Sequence, residues 1–525
     1  MGKEKKKKLR LKNKFVRKFI YSKLFFVAFM VFVQLAFYVL LFLKIAGSGK
    51  YMAVASVALS LVFMVYIVNS KGKNEFKMVW MLPVLIFPAF GIFLYLICHK
   101  NLGGHRLSKR IHFAKEESKV FLENLKEEKK ALSDYPKIGD ISTYLKSTEN
   151  YPPYSQNKTT YYPNGESWLP DMLAQLKKAK SFIFLEYFII DEGEMWQEIL
   201  EVLKAKAASG VTVRLIYDGF GSLRLATKSY VRYLKSFGID TRIFLPLIPF
   251  FDTGQNNRDH HKIMIVDGQC CFTGGMNLTD EYVNMDHHRF DYWKDANICI
   301  EGSGVRTFTA LFLQTWHSID RKQKLDKEDI SKWINIRYKK YDAPGAIIPY
   351  ADDAFNENDL AENVYNYILN KAHTYVHIMT PYLIIDNTMM NNLLFAARRG
   401  VDVSIIFPGH YDHFITYCVG YRFVKQLIEN GVKVYFYNPG FIHSKVFVSD
   451  NKRGTVSSIN LDYRSFYHHF ECGAFLYKSE SVKKMEEDFE ETKKECTLVT
   501  MEVYKKLPLV RRMIGWLCKI VAPLL

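Results

Sequence analysis

Two His-x-Lys pairs carry the strongest chemical signal in the chain: His260 and Lys262 in DHHKIMIVDG, and His443 and Lys445 in IHSKVFVSD. Each lysine is followed five residues later by an acid, Asp267 or Asp450, and further on by Asn277 in FTGGMN or Asn460 in VSSIN. All four positions repeat 183 residues apart. One such stretch alone is weak, because a histidine on a strand is usually a satisfied surface or core residue. Four positions in a single register are not a chance match. Val446, Phe447 and Val448 favour a pleated backbone, and side chains two apart on a strand share a face. Each pair therefore aims an imidazole and an ammonium at one place.

Two lysines and two asparagine amides make a donor-rich, positive pocket suited to a phosphodiester, whose oxygens gain charge in the transition state. The sequence offers no carboxylate cluster of the kind that holds Mg²⁺, so the lysines take the part a metal plays elsewhere. One imidazole attacks phosphorus and becomes a phosphohistidine. The other protonates the departing alkoxide and then deprotonates the incoming alcohol. The two motifs are nearly equivalent, so the residues alone do not say which histidine attacks.

The elements that position these groups also repeat. An apolar strand, SFIFLEYFII, leads to a helix from about Met195 to Ala208, a turn at Gly210 and the strand VTVRLIYD. The same order returns as TYVHIMTPYLII, a helix to Arg399, Gly400 and VDVSIIFPG. The pattern predicts an α/β protein with two tandem domains of strands flanked by helices, at 151–325 and 346–500, joined by a linker at 326–345. A charged helical connector, helical from about Lys115 to Leu132, fills 101–150, and an amphipathic tail occupies 501–525. The eight cysteines lack metal-ligand spacing and indicate neither a zinc site nor a disulfide framework.

The first hundred residues differ in character. Leu24–Leu43 is interrupted only by Gln34, Tyr51–Val68 is uncharged, and Val79–Cys98 is broken by Pro83, Pro88 and Gly91. Two to three transmembrane segments, at about 24–43, 51–68 and 79–98, are expected, the third either a kinked span or a re-entrant hairpin. The first run is too long for a signal-peptide core and has no small-residue cleavage site after it. Of the net charge of +18, eleven basic residues and Glu4 place +10 within residues 1–23. A basic tail beside an apolar helix reads as a cytoplasmic anchor on anionic lipid, which weakens nucleic acid as the explanation for the charge. The segment after the third run is basic too, which favours an even number of crossings and a cytoplasmic catalytic part.

With these motifs the chain resembles the phospholipase D superfamily, and within it the bacterial cardiolipin synthases. The matching pieces are LEYFII, SGVTVRLIYDGFGS, NNRDHHKIMIVDG, FTGGMN, TPYLI, RRGVDVSIIFPG and FIHSKVFVSD running into SINLDYRSF. Pro88, Gly91, Tyr95 and the terminal Ala522-Pro523-Leu524-Leu525 add to the likeness, which spans roughly 51–525. The resemblance implies a mixed β-sheet in each half, with the halves meeting about a pseudo-two-fold at one site. It implies His260 as nucleophile, His443 as general acid and base, and Lys262, Lys445, Asn277 and Asn460 as phosphate ligands. Asp295 and Glu471 stand where the family places carboxylates that orient the imidazoles. Asp267 and Asp450 complete the catalytic motif, although their strand parity points to fixing strand ends.

Three departures stand out. His261 replaces a common Arg and is expected to point away from the site. Ser457 replaces a Gly, and His468 and His469 replace an apolar residue and an amide, for which local hydrogen bonding is expected. The implied reaction joins two phosphatidylglycerols into cardiolipin and glycerol, at the bacterial cytoplasmic membrane as a multi-pass protein. No cofactor or metal is implied, and no nucleic-acid partner. Alternatives are a membrane-bound phosphodiesterase that hydrolyses phospholipid or nucleic acid, and a non-catalytic scaffold. The segment LVRRMIGWLCKIVAPLL either lies on the membrane or packs on the second domain.

Overall fold

A computed structural model describes residues 49–99, 102–247, 256–286, 290–320, 327–356 and 358–525. The chain divides into two compact units, one built mainly from residues up to Arg106 and the other from most of the residues between Leu107 and Leu525.

The N-terminal unit contains helices Gly49–Asn69, Asn74–Ile86 and Pro88–His99. Ile67, Val84, Ile92 and Tyr95 form its small core, and Ser60 Oγ donates to the Val84 carbonyl at 3.1 Å. The expected spans have different outcomes, and Tyr51–Val68 falls within the single helix Gly49–Asn69. Leu24–Leu43 lies outside the described residues. The run Val79–Cys98 is not one helix, because Phe87 leaves helical geometry and Pro88 begins a new helix with no amide hydrogen to give. The chain then folds back so closely that a Cβ on Gly91 would lie 2.2 Å from the Pro83 carbonyl oxygen. The two pieces are 13 and 12 residues long, about 20 and 18 Å against a hydrocarbon layer of about 30 Å. Among the described residues no helix is long and apolar enough to cross a membrane.

The larger unit holds the repeat. Its first half has seven strands: β1 Lys158–Tyr162, β2 Phe182–Tyr187, β3 Thr212–Asp218, β4 Ile239–Phe244, β5 Lys262–Val266, β6 Cys270–Gly274 and β7 Asn297–Glu301. The second half has β8 Ala346–Asp352, β9 Tyr375–Met379, β10 Asp402–Pro408, β11 Lys433–Tyr437, β12 Val446–Ser449, β13 Arg453–Ser457 and β14 His469–Tyr477. The first sheet runs β1-β7-β6-β5-β2-β3-β4 and the second β8-β14-β13-β12-β9-β10-β11, the same order with every label advanced by seven. In both, the three strands at one end are parallel and the rest antiparallel. Short strands Tyr154–Ser155 and Cys496–Leu498 extend the two edges of the second sheet.

The apolar strand interiors follow from burial on both faces: Phe182 to Tyr187 and Val446 to Ser449 are buried throughout. Asp267 and Asp450, both in the left-handed region with φ of 52° and 53°, end β5 and β12. Asp267 accepts from the backbone N–H groups of Lys180, Ser181 and Phe182, and Asp450 from those of His373, Thr374 and Tyr375. Each carboxylate thus ties one strand's end to its neighbour's start.

Two connecting segments differ from expectation. The helix predicted at about 115–132 is two helices, Leu102–Lys119 and Lys126–Asp134, separated by a turn with Asn124 at φ 53°. The supposed linker contains helix Lys327–Ile334, whose Trp333 packs edge-on against Phe182 and Phe184 while Asp329 takes two hydrogen bonds from Arg214. Its amphipathic face belongs to the core of the first half.

Candidate functional site

Neither His260 nor His443 lies on a strand. Each sits in a short break, after Arg258–Asp259 and after Phe441–Ile442. These two-residue strands cross between the halves: Arg258–Asp259 pairs with His469–Phe470, and Phe441–Ile442 pairs with Trp293–Lys294. Backbone bonds continue the crossing, from His260 N to Phe470 O at 2.9 Å and from His443 N to Lys294 O at 2.7 Å. The next residue along each receiving segment is the acid, Glu471 or Asp295. Each half therefore orients the other half's histidine.

His260 Nδ1 lies 2.8 and 2.9 Å from the two oxygens of Glu471. His443 Nδ1 lies 2.6 Å from Asp295 Oδ2 and 2.7 Å from Lys445 Nζ. Lys262 Nζ donates to the His260 carbonyl at 2.7 Å, and Lys445 Nζ makes the equivalent bond to the His443 carbonyl. Binding Nδ1 to a carboxylate leaves Nε2 of each ring for chemistry. Both rings are almost enclosed, at 6 and 7% exposure, and the two acids are fully buried. Phe188 flanks His260 with ring centroids 5.0 Å apart, and Trp293 and Tyr282 flank His443 at 5.2 and 5.5 Å.

Burial sets the protonation states, and the two halves differ. It pushes His260 and His443 well below the ordinary imidazole value; Glu471 opposes this at His260, and Lys445 adds to it at His443. Burial lowers Lys262 to about 7 and Lys445 to about 8. Asp295 is pushed up by burial to about 7, against the pull of Lys445. At Glu471 burial also acts upward, but His260 and Lys262 outweigh it and hold the carboxyl well below the usual range. One histidine thus faces a carboxylate and the other an acid that keeps a proton near neutrality.

Ser458 is a site residue that the two motifs do not announce. Its hydroxyl donates to Glu471 Oε2, and it accepts from Cys472 N at 3.0 Å. The counterpart 183 residues earlier is Gly275, where a Cβ would come within 2.0 Å of Asp295 Oδ1. The same offset could have exposed this asymmetry. Ser457, the departure from Gly, is accommodated: Tyr365 OH lies 2.7 Å from its hydroxyl, and Gly473 opposite leaves room where a Cβ would meet Ser457 Cβ at 2.6 Å.

The remaining expected residues divide. Asp267 and Asp450 fix strand ends, as their strand parity suggested: although the motif includes them, their oxygens are occupied by backbone donors. Asn277 is also engaged, accepting from Ile189 N at 3.1 Å and donating to Tyr282 OH at 2.7 Å, whereas Asn460 is buried with Oδ1 unpartnered among the described residues. His261 faces Glu186 at 2.9 Å and Asp259 at 3.2 Å. Burial works against its charge, yet Glu186 and the bond to Asp259 hold it well above the ordinary imidazole value. The His469 ring lies 5.4 Å from that of His260, and its Nδ1 lies 3.7 Å from Glu471 Oε1, where it helps to hold that carboxyl down. His260, His469 and Glu471 are close enough to share an ion, as are Glu186, Asp259 and His261. In the second group, the contacts of His261 with Glu186 and Asp259 account for the approach; in the first, the His260–Glu471 bond does so for two of the three.

Comparison with known proteins agrees with the geometry. A family model described as cardiolipin synthase, PLD-like domain, matches residues 172–316 and 366–493. A cardiolipin synthase of Geobacillus sp. (strain WCH70) is 31% identical over 475 residues, 89% of this chain and 93% of its own. An uncharacterized protein of Streptococcus mutans is 40% identical over 464 residues, covering 88% of this chain and 99% of its own. Among solved structures, phosphatidylserine synthase of Haemophilus influenzae superposes with a TM-score of 0.54 at 14% identity, over 74% of this chain and 100% of that one. That likeness is one of fold.

Proposed function

The chain belongs to the cardiolipin synthase family of phospholipase D-like phosphatidyltransferases, and we propose that it transfers a phosphatidyl group from one phosphatidylglycerol to another, yielding cardiolipin and glycerol. The observation that carries the reading is the unlike pairing of the two histidines. Glu471 stays ionised and receives the Nδ1–H of His260, which leaves a neutral Nε2 lone pair for attack. Asp295, pushed up to about 7, keeps a proton beside His443, as a general acid requires.

In the first step His260 Nε2 attacks phosphorus and the bond to the glycerol oxygen breaks. His443 delivers a proton to that oxygen, and glycerol leaves. In the second step His443 takes the proton from the terminal hydroxyl of a second phosphatidylglycerol. That oxygen attacks phosphorus, the P–N bond breaks, and His260 is restored. Lys262 and Lys445 neutralise the phosphoryl oxygens in both transition states. Such substrates bring the chain to a phospholipid bilayer, where the apolar N-terminal segments and the basic tail at 1–23 add attachment.

Radiolabelled phosphatidylglycerol tests this directly. The reading expects labelled cardiolipin with one glycerol released per molecule formed; phosphatidic acid in its place means that water is the acceptor and the protein hydrolyses phospholipid.

A further inference from the structure

We propose that helix Leu509–Cys518 and the start of helix Phe414–Ile428 form one docking face that lies in the surface of an anionic phospholipid bilayer and sets the rim of the catalytic site against it. The inference rests on the reading that the substrate is a bilayer phospholipid. The C-terminal helix is attached by its backbone: Gly515 is buried, and a Cβ there would lie 2.1 Å from the Cys418 carbonyl oxygen. With that side used, Leu509, Met513 and Trp516 point outward at spacings of four and three, joined by Val510 and Leu517 seven apart. Val510 is 65% and Trp516 64% exposed, values far from those of core residues. The neighbouring helix contributes exposed Phe414 and Ile415, preceded by exposed Tyr411, whose ring lies 5.7 Å from the Arg511 guanidinium. Exposed apolar side chains thus stand on two elements packed against each other, beyond the scattered exposure usual on a soluble surface.

Charge and length identify the occupant. From Val503 to Leu525 the chain has five basic residues, Lys505, Lys506, Arg511, Arg512 and Lys519, and no acidic one. Apolar side chains interleaved with cations and an exposed Trp match the headgroup region of an anionic bilayer. Ten residues give a helix of about 15 Å, half the hydrocarbon thickness, so it lies in the plane and does not cross. The face also leads to the chemistry. Asp412 stands between Tyr411 and Phe414, accepts a hydrogen bond from Tyr382 and is near enough to Lys445 for its charge to act on that ammonium. A lipid headgroup entering past Tyr411 and Phe414 meets the lysine pair without leaving the interface.

The test uses the full chain in vesicles of phosphatidylcholine with phosphatidylglycerol brominated on its acyl chains. Other apolar segments also bring the chain to the membrane, so the readout is local: quenching of tryptophan emission is compared between the parent and Trp516→Phe. The proposal expects the parent to lose a larger fraction of its emission; equal quenching overturns it. This arm requires no turnover, so it decides the docking face even if no cardiolipin is made, an outcome that would sink the transferase reading instead. In the second arm, Val510→Ser/Met513→Ser/Leu517→Ser should turn over phosphatidylglycerol in vesicles about tenfold more slowly. Its rate on a short-chain phosphatidylglycerol below its micelle concentration should match the parent's. A variant with altered oligomeric state and unaltered vesicle turnover assigns the face to a second copy of the chain and overturns the proposal.

Discussion

His260 in the first half and Glu471 in the second are bound to each other through both carboxylate oxygens, at 2.8 and 2.9 Å. His443 and Asp295 repeat the exchange in the opposite sense at 2.6 Å. Neither half holds a complete set of groups, so the site exists only where the halves meet. The exchange follows from two pairs of short paired segments, whose register carries each histidine level with the other half's acid.

Glu471→Gln keeps the shape but replaces the ionised acceptor of the His260 Nδ1–H with a neutral amide. The rate of phosphoenzyme formation in rapid-quench experiments should fall about 10²- to 10⁴-fold, the range for a lost acid–base partner. Glu471→Asp, one methylene shorter, should retain more activity than the Gln variant.

His443→Gln should stop turnover of phosphatidylglycerol, because the glycerol alkoxide leaves without a proton. A phosphatidyl ester of p-nitrophenol needs no such proton. With it the variant should release a burst of nitrophenol equal to the enzyme present and then stall, whereas His260→Gln should give no burst with either substrate.

The pH profile should be one-sided. Lys262 and Lys445 bind phosphate as ammonium ions, and burial lowers them to about 7 and about 8. Their charge is present below those values and lost as pH rises through them; Asp295, pushed up to about 7, gives up its proton over the same window. The kcat/KM of the free enzyme should therefore decline above about pH 7. No matching decline is expected from Glu471 between pH 5 and 7, since its carboxyl is held well below the usual range.

Asp450→Ala removes three backbone hydrogen bonds from the start of β9 and none from the site. Urea unfolding should show a loss of about 2 kcal/mol, while the burst per folded enzyme stays within about twofold of the parent. Backbone donors overcome burial and lower the Asp450 pKa in the folded state. Its contribution is thus present above the unfolded carboxyl value and fades as pH falls through the folded one. Parent and variant should converge in acid.

Much of this site is legible in the sequence because the repeat supplies its own control. His260, Lys262, Asp267 and Asn277 recur at one offset, and identical sheet orders follow from that duplication. The acids are less legible: Asp295 and Glu471 are 176 residues apart, out of register with the 183 that relates the histidines. Nothing local to either acid announces that its partner lies in the opposite half, since the crossing is made by strands too short for a periodic pattern. The motif likewise hides that Asn277 is held by Ile189 and Tyr282. The apolar run 79–98 satisfies a hydropathy criterion, while Pro88 and the close approach at Gly91 turn it into two short helices.

Unlike acids give the two histidines unlike roles, and the location of the covalent intermediate tests this most directly. The measurement is to incubate His443→Gln with the p-nitrophenyl ester carrying labelled phosphorus, quench under alkaline conditions that preserve phosphohistidine, and locate the label by peptide mapping. The predicted result is label on His260 alone, at Nε2. Label on another residue, or label on His443 in the reciprocal His260→Gln protein, would contradict it.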